Sequence, residues 1–452
     1  MLKKYDLIVI GGGSGGVRAS RIASNHGAKV ALCEEDRMGG TCVIRGCIPK
    51  KLLFYAANFK KSFLNSKYYG WEISSYSNNL KKFMLAKDKE LKRLENIYTA
   101  NIKNSGVDIY KGKAIFIDNK IIKVNELKLK GKNIIIAVGG VPKKTDFPGS
   151  HYCIDSEQIM QLKKIPKKLS IVGAGYVAIE FAFIFSLLGS KVNLICRNKI
   201  LSGFDNDLVK HLTNSLVNNG VKILYNENIS LIENRNRIKK IRLEKSKKQI
   251  LADEVLVAIG RTPNIANLNL NNTCIKYNKN FSIKVNKKLE TNVKNVYAIG
   301  DVTDRINLTP VAISEGHALA DNIFGNKNIQ IDLKNVGTAV FSYPPICSVG
   351  LTENEAKLKI KKFLVYESKF NSLKHSIVKE KTATYIKILV NIKNKRILGA
   401  HMFGEEAPEL IQLMAVAIEA KANMDDFRRT MAIHPTVAEE LVTMKQATRT
   451  YK

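Results

Sequence analysis

Short, uninterrupted apolar runs alternate with amphipathic stretches along most of the chain. Tyr5-Asp-Leu-Ile-Val-Ile10 lacks the in-out alternation of a half-exposed strand, so it predicts a central parallel strand covered on both faces. Glycines follow, then helical spacing, then a second strand, Lys29-Val-Ala-Leu-Cys-Glu34. The same order recurs from Leu169-Ser-Ile-Val172 through glycines and a helical stretch to Lys191-Val-Asn-Leu-Ile-Cys-Arg197. Further buried strands are predicted at Asn133-Ile-Ile-Ile-Ala-Val138 and Glu254-Val-Leu-Val-Ala-Ile259, each running into glycine, and at Val296-Tyr-Ala-Ile-Gly-Asp301. Residues 77–105 carry helical spacing and many charges. From about residue 333 the texture changes to strands such as Tyr385-Ile-Lys-Ile-Leu-Val390 and apolar helices such as Glu409-Leu-Ile-Gln-Leu-Met-Ala-Val-Ala-Ile418. The pattern predicts an α/β chain with two βαβ units and a C-terminal α+β part suited to an interface.

Each βαβ unit opens its helix with a spaced set of small residues, Gly11-x-Gly13-x-x-Gly16 and Gly173-x-Gly175-x-x-Ala178. Such spacing permits a tight turn and lets a pyrophosphate approach the helix N-terminus, where unpaired N–H groups favour anions. One such motif is a weak signal, whereas two in one chain are a strong one. The residue ending each second strand reads the ribose. Glu34 accepts from free hydroxyls and repels a 2′-phosphate, which suits FAD or NAD. Arg197 pairs with a 2′-phosphate, which suits NADP(H).

Composition narrows the class. With 452 residues, 45% of them apolar, the chain should form roughly two to four domains. No apolar stretch is long enough to span a bilayer, and the strand at the start leaves no room for a signal peptide, so a cytoplasmic enzyme is expected. The net charge of +33 raises nucleic acid or anionic membrane as partners, but the lysines are spread evenly, without an aromatic-interleaved stripe or a binding motif. Neither partner is expected, and a basic nucleic-acid-binding flavoprotein remains the non-enzyme alternative.

The chemistry concentrates in Gly39-Gly-Thr-Cys-Val-Ile-Arg-Gly-Cys-Ile-Pro-Lys50, just beyond the first βαβ unit. Of seven cysteines, only Cys42 and Cys47 are close in sequence. In an ideal helix they would stand about 7.5 Å apart along the axis, beyond the usual disulfide range, so bonding requires a distorted segment. Gly46 supplies the freedom. Thiols beside a dinucleotide site point to redox chemistry on sulfur.

These motifs, with Gly173-Ala-Gly-Tyr-Val-Ala-Ile-Glu180, Ala298-Ile-Gly-Asp301 and His434-Pro-Thr-Val-Ala-Glu439, resemble the flavin-dependent pyridine nucleotide disulfide oxidoreductases, most closely the glutathione reductases. The resemblance spans essentially the whole chain. It implies two Rossmann-like FAD- and NAD(P)-binding domains plus a C-terminal dimerisation domain. Residues 1–140 would begin the FAD domain, 141–264 form the NADPH domain, 265–332 complete the FAD and central part, and 333–452 form the interface. By the same resemblance, Cys42 and Cys47 form the redox disulfide; Cys42 is the interchange thiol, and Cys47 lies nearer the flavin. His434, oriented by Glu439, is the acid–base group, reaching the active site of the other subunit of a homodimer. Lys50 and Glu180 pair near the reactive flavin edge, and Tyr176 gates the nicotinamide. Further cofactor contacts fall to Gly11, Gly13, Ser14, Gly15, Gly16, Glu34, Thr41, Gly139, Asp301 and Thr309 for FAD. Those for NADPH are Gly173, Gly175, Ala178, Arg197, Gly260 and Arg261. No metal is expected.

The implied substrate is glutathione disulfide, whose carboxylates call for a cationic site. Ser14, Arg21, Tyr98 and His317 match substrate-facing positions, and Arg18 and Arg21 disfavour the cationic disulfide of trypanothione reductases. The C-terminus, Leu441 to Lys452, has no cysteine, against mercuric and large thioredoxin reductases. Arg197 stands against lipoamide dehydrogenases, which with reductases of other small disulfides remain the alternative. Two departures weaken the match: Ser202 occupies the place of a second 2′-phosphate arginine, and His317 replaces an arginine.

Overall fold

A computed structural model describes residues 2–452. The first layer is built as the apolar runs require. β1 (Leu2–Ile10) leads into α1 (Ser14–Asn25) and β2 (Val30–Glu34); α2 (Cys47–Ser66) and α3 (Leu80–Asn104) follow before β3 (Asp108–Lys111). A hairpin, β4 (Ala114–Phe116) and β5 (Ile121–Val124), then lies antiparallel against the first half of β6 (Leu127–Ile136). The parallel order is β3-β2-β1-β6, with Leu7 opposite both Val30 and Asn133. Leu7, Ile8 and Val9 are fully buried, as a central strand demands.

β7 (Gly140–Pro142) leads out of this layer into a second parallel sheet, containing β8 (Lys168–Val172), α4 (Tyr176–Leu187), β9 (Lys191–Cys196), α5 (Asn206–Asn218) and β10 (Lys222–Tyr225). An antiparallel trio, β11 (Ile229–Arg235), β12 (Ile238–Leu243) and β13 (Gln249–Ala252), precedes β14 (Glu254–Val257), which completes the order β10-β9-β8-β14. β15 (Arg261–Pro263) pairs antiparallel with β7, so the chain returns along the ribbon by which it left. β16 (Val296–Ala298) then joins β6 in the first sheet, and α6 (Thr309–Phe324) packs beside α1.

The C-terminal part is one antiparallel sheet of β17 (Thr338–Val340), β18 (Ile346–Gly350), β19 (Phe363–Asn371), β20 (Ala383–Asn391), β21 (Ile397–Phe403) and β22 (Arg449–Tyr451), with α7 (Glu353–Lys359) and α8 (Ala407–Glu419). α4 joins the layers. It is apolar on every face except for Glu180, and buries Ile179 and Phe181 to Phe185 in one cluster with Leu53 and Phe54 of α2 and Val340 and Tyr343 of the last part. A helix apolar all round is stable only when enclosed. No helix among the described residues is long and apolar enough to cross a membrane.

Candidate active site

Both glycine turns have the same construction. Gly11 has φ +108°, and a Cβ there would lie 2.4 Å from the Ala137 carbonyl; at Gly173 the angle is +139° and the distance to the Ala258 carbonyl is 2.2 Å. By contrast, a Cβ on Gly13 or Gly175 would meet nothing within 4 Å. These two are the N-caps of α1 and α4, and neither helix has a side-chain cap. Two long helices thus present unpaired N–H groups to open space, as pyrophosphate binding requires. Glu34 is buried at the end of β2; its oxygens accept from the Gly12 N–H at 2.6 Å and the Asp36 N–H at 2.7 Å. Burial pushes its carboxyl up while these bonds oppose the shift, and lone pairs remain for ribose hydroxyls. Arg197 follows β9, exposed and without an ion pair among the described residues.

The thiol segment is distorted as its spacing demands. Thr41–Arg45 form a π-turn, whose backbone bonds run from residue i to i+5, and α2 starts at Cys47. A Cβ at Gly46 would lie 2.8 Å from the Thr41 carbonyl, so closing the turn requires glycine. Cys42 and Cys47 are free thiols within hydrogen-bonding reach of each other. The neighbouring Cys42 thiol lowers the pKa of Cys47, and Cys47 raises that of Cys42. Burial opposes the first shift and adds to the second; the Thr309 hydroxyl, 3.7 Å from the Cys47 sulfur, and the Lys50 ammonium reinforce the first. Thr309 opens α6, whose N-terminus also lacks a side-chain cap and favours an anion. Solvent reaches Cys47, yet protein surrounds it closely enough to desolvate it.

Lys50 donates to Glu180 Oε1 at 2.6 Å, and the same oxygen accepts the Phe341 N–H at 2.9 Å. α2, α4 and the C-terminal part therefore meet on one buried carboxylate. Tyr176, at the first turn of α4, faces the same region; burial and Glu180 push its hydroxyl up to about 12.

Residues 5–316 match the family described as pyridine nucleotide-disulphide oxidoreductase, and residues 336–445 match its dimerisation domain. The chain belongs to this family. It is 42% identical to a glutathione reductase of Nostoc sp. over 98% of this chain and 99% of that one. A Burkholderia cepacia glutathione reductase is 40% identical over 98% of each chain. The chloroplastic/mitochondrial glutathione reductase of Pisum sativum is 39% identical over 98% of this chain and 83% of its own.

FAD and NADPH are the cofactors of a pyridine nucleotide-disulphide oxidoreductase of this kind. The open N-termini of α1 and α4 fit their pyrophosphates, Glu34 fits the FAD ribose and Arg197 the 2′-phosphate. Gly15, Gly16 and Ala178 are buried inside the turns, and Gly139 has φ +66° with open space about it. Asp301 follows β16; burial pushes its carboxyl up and Arg261 opposes the shift. Gly260 precedes β15. Arg261 donates to the Gly140 carbonyl and stands 3.4 Å from Thr41 Oγ1, so the structure sets it against the first layer and the thiol turn.

Of the expected substrate-side residues, Ser14 lies close enough to Cys42 to oppose the rise in its pKa, and Tyr98 on α3 is raised by burial and by Cys42 and lowered by Arg18. Arg21 is one turn further along α1, with Nε 3.3 Å from Ser105 Oγ. His317 is eight residues beyond Thr309, about 12 Å along α6, with Nε2 3.8 Å from Asp321. These are less closely grouped around the thiols than Ser14 and Tyr98. His434 Nδ1 is 2.8 Å from Glu439 Oε2, yet its side chain is 79% exposed, and no histidine is among the groups that shift Cys42. Phe341 carried no sequence signal: it acts through its backbone N–H, and only packing brings it to Glu180.

Proposed function

We propose that the chain is an NADPH-dependent glutathione-disulfide reductase, acting as a cytoplasmic homodimer whose two active sites each use residues of both subunits. The observation that carries the reading is the Cys42–Cys47 pair, with Cys47 lying beside an uncapped helix N-terminus and the Lys50–Glu180 pair. When bound, FAD and NADPH supply the electron pair that reduces the Cys42–Cys47 disulfide.

The thiols complete the reaction. Cys42 loses its proton and its sulfur attacks the substrate disulfide, forming a mixed disulfide and releasing one glutathione, protonated by His434. The Cys47 thiolate then attacks Cys42, which restores the internal disulfide and releases the second glutathione as a thiolate that takes its proton from solvent. Attack on a disulfide requires the thiolate, so Cys42, whose pKa is raised, needs a base. Glu439 fixes the His434 tautomer by accepting from Nδ1–H, leaving Nε2 to carry the proton. The solvent-exposed setting of His434, just after exposed Met431 and Ile433, supports a role completed by a second subunit. Arg18, Arg21 and Tyr98 would meet the carboxylates and body of the substrate. Seven free thiols suit a reducing compartment.

The deciding experiment presents the FAD-loaded enzyme, with NADPH or NADH, to the disulfides of glutathione, lipoamide, trypanothione and coenzyme A. Glutathione disulfide with NADPH should give the highest kcat/KM. A preference for lipoamide with NADH would replace this reading.

A further inference from the structure

A second charge cluster lies where the Arg197-bearing layer meets the C-terminal sheet. Lys387, on β20, is fully buried; its ammonium donates to Asp205 Oδ1 at 2.7 Å, to Glu353 Oε2 at 2.8 Å and to Asp207. Asp205 is the N-cap of α5. Its carboxylate accepts the Asp207 N–H at 3.1 Å and, from the first turn of α7, the Glu353 N–H at 3.1 Å. One carboxylate therefore caps two helices from different layers. Arg449 of β22 closes the far side, 2.7 Å from Glu353 and 2.6 Å from Glu367. A buried ion cluster of this kind is a fixed point, because losing one partner strands the others without compensation.

What it fixes is the segment that reads the coenzyme. Arg197 leaves β9; four residues on, the Leu201 N–H donates to the Ala174 carbonyl of the glycine turn at 2.8 Å, and Ile200 and Leu201 are buried. The segment then ends on Asp205. Arg197, Asn198 and Lys199, just before the first anchor, and Ser202, between the two, stay exposed. With serine at 202, one guanidinium provides the planar recognition, so discrimination depends on where that group is held, and small misplacements carry large costs.

We propose that Asp205, Lys387 and Glu353 are positioning residues through which the C-terminal sheet sets Arg197 for the 2′-phosphate of NADPH. The inference rests on the NADP reading of Arg197. The test uses the FAD-loaded enzyme and calorimetric binding of adenosine 2′,5′-bisphosphate and of AMP, together with kcat/KM for NADPH and NADH. Asp205→Asn keeps the α5 cap through its amide oxygen, gives up the acceptor for the Glu353 N–H and leaves Lys387 two carboxylates, so it decides the matter even if the harsher Lys387→Met does not fold. Asp205→Asn should weaken the bisphosphate about tenfold and leave AMP, NADH and kcat unchanged. In an Arg197→Ala background it should have no further effect, the sign of a shared pathway. Equal loss for both ligands, or the same loss without Arg197, would overturn the inference while leaving the NADP reading intact. A wild type that binds the two nucleotides alike would overturn that reading and the inference with it.

Discussion

The two thiols stand in unequal surroundings, with the Thr309 hydroxyl and the Lys50 ammonium beside Cys47. The Cys47 pKa is depressed below the ordinary thiol value, chiefly by the neighbouring Cys42, and that of Cys42 is raised by Cys47 and by burial. For Cys47, a depressed folded value means that the stabilisation is complete above the unfolded value of about 8.5 and is lost as pH falls through the lower folded one. Reduced protein should therefore show ultraviolet thiolate absorbance at neutral pH, and Cys47→Ser should remove it; equal absorbance in both would refute the assignment. Cys42→Ser should abolish turnover of glutathione disulfide while NADPH still bleaches the bound FAD. Near-normal turnover in this variant would show that Cys42 is not the interchange thiol. At Arg197, a charge-assisted bond contributes about 1.5 to 3 kcal/mol, a preference for NADPH of roughly one or two powers of ten. Arg197→Glu should bring NADPH and NADH to parity or invert them, and kcat/KM for both coenzymes reads this directly.

At the scale of elements, the two uncapped helices make a prediction that separates folding from binding. Gly13 sits at φ −79° and ψ −174°, an extended conformation open to any residue, and faces free space. Gly13→Val should therefore fold with native secondary structure but purify with little FAD, measured as flavin absorbance per chain. Gly16→Val should fail earlier, since its Cβ would stand 2.0 Å from the Gly11 carbonyl. A Gly13→Val protein with full FAD would mean that the pyrophosphate lies elsewhere. α4 carries the complementary lesson. Its single charge, Glu180, is tolerated inside an apolar helix because Lys50 and the Phe341 N–H complete it.

At the scale of the molecule, His434 is the residue that a single chain leaves unused. His434→Ala should slow glutathione disulfide turnover by roughly 10²-fold while sparing flavin reduction. Mixing it with Cys42→Ser subunits offers a geometric test. If each site takes Cys42 from one chain and His434 from the other, a hybrid dimer holds one intact site, and random exchange should restore about one quarter of the wild-type rate. No recovery in verified hybrids would place both residues in the same chain.

Much of this was legible in the sequence because its signals are local. Continuous apolar runs marked β1, β6, β8 and β14; the glycine spacing marked the turns before α1 and α4; and the five-residue interval at Cys42 and Cys47 required a distortion that proved to be a π-turn around Gly46. The β4–β5 hairpin and the trio β11 to β13 were not read, since their strands are short, three to seven residues, and most mix apolar with charged residues without a clean period. Sequence motifs fixed which residue types carry the chemistry. Tertiary structure alone decided that Thr309 and Lys50 stand beside Cys47, that Phe341 completes Glu180, that Arg261 leans on the thiol turn, and that Asp205 is held by Lys387 from 182 positions away. The physical reason is that hydrogen bonding and desolvation act through space over a few ångströms, whereas sequence spacing constrains only neighbours along one helix or strand.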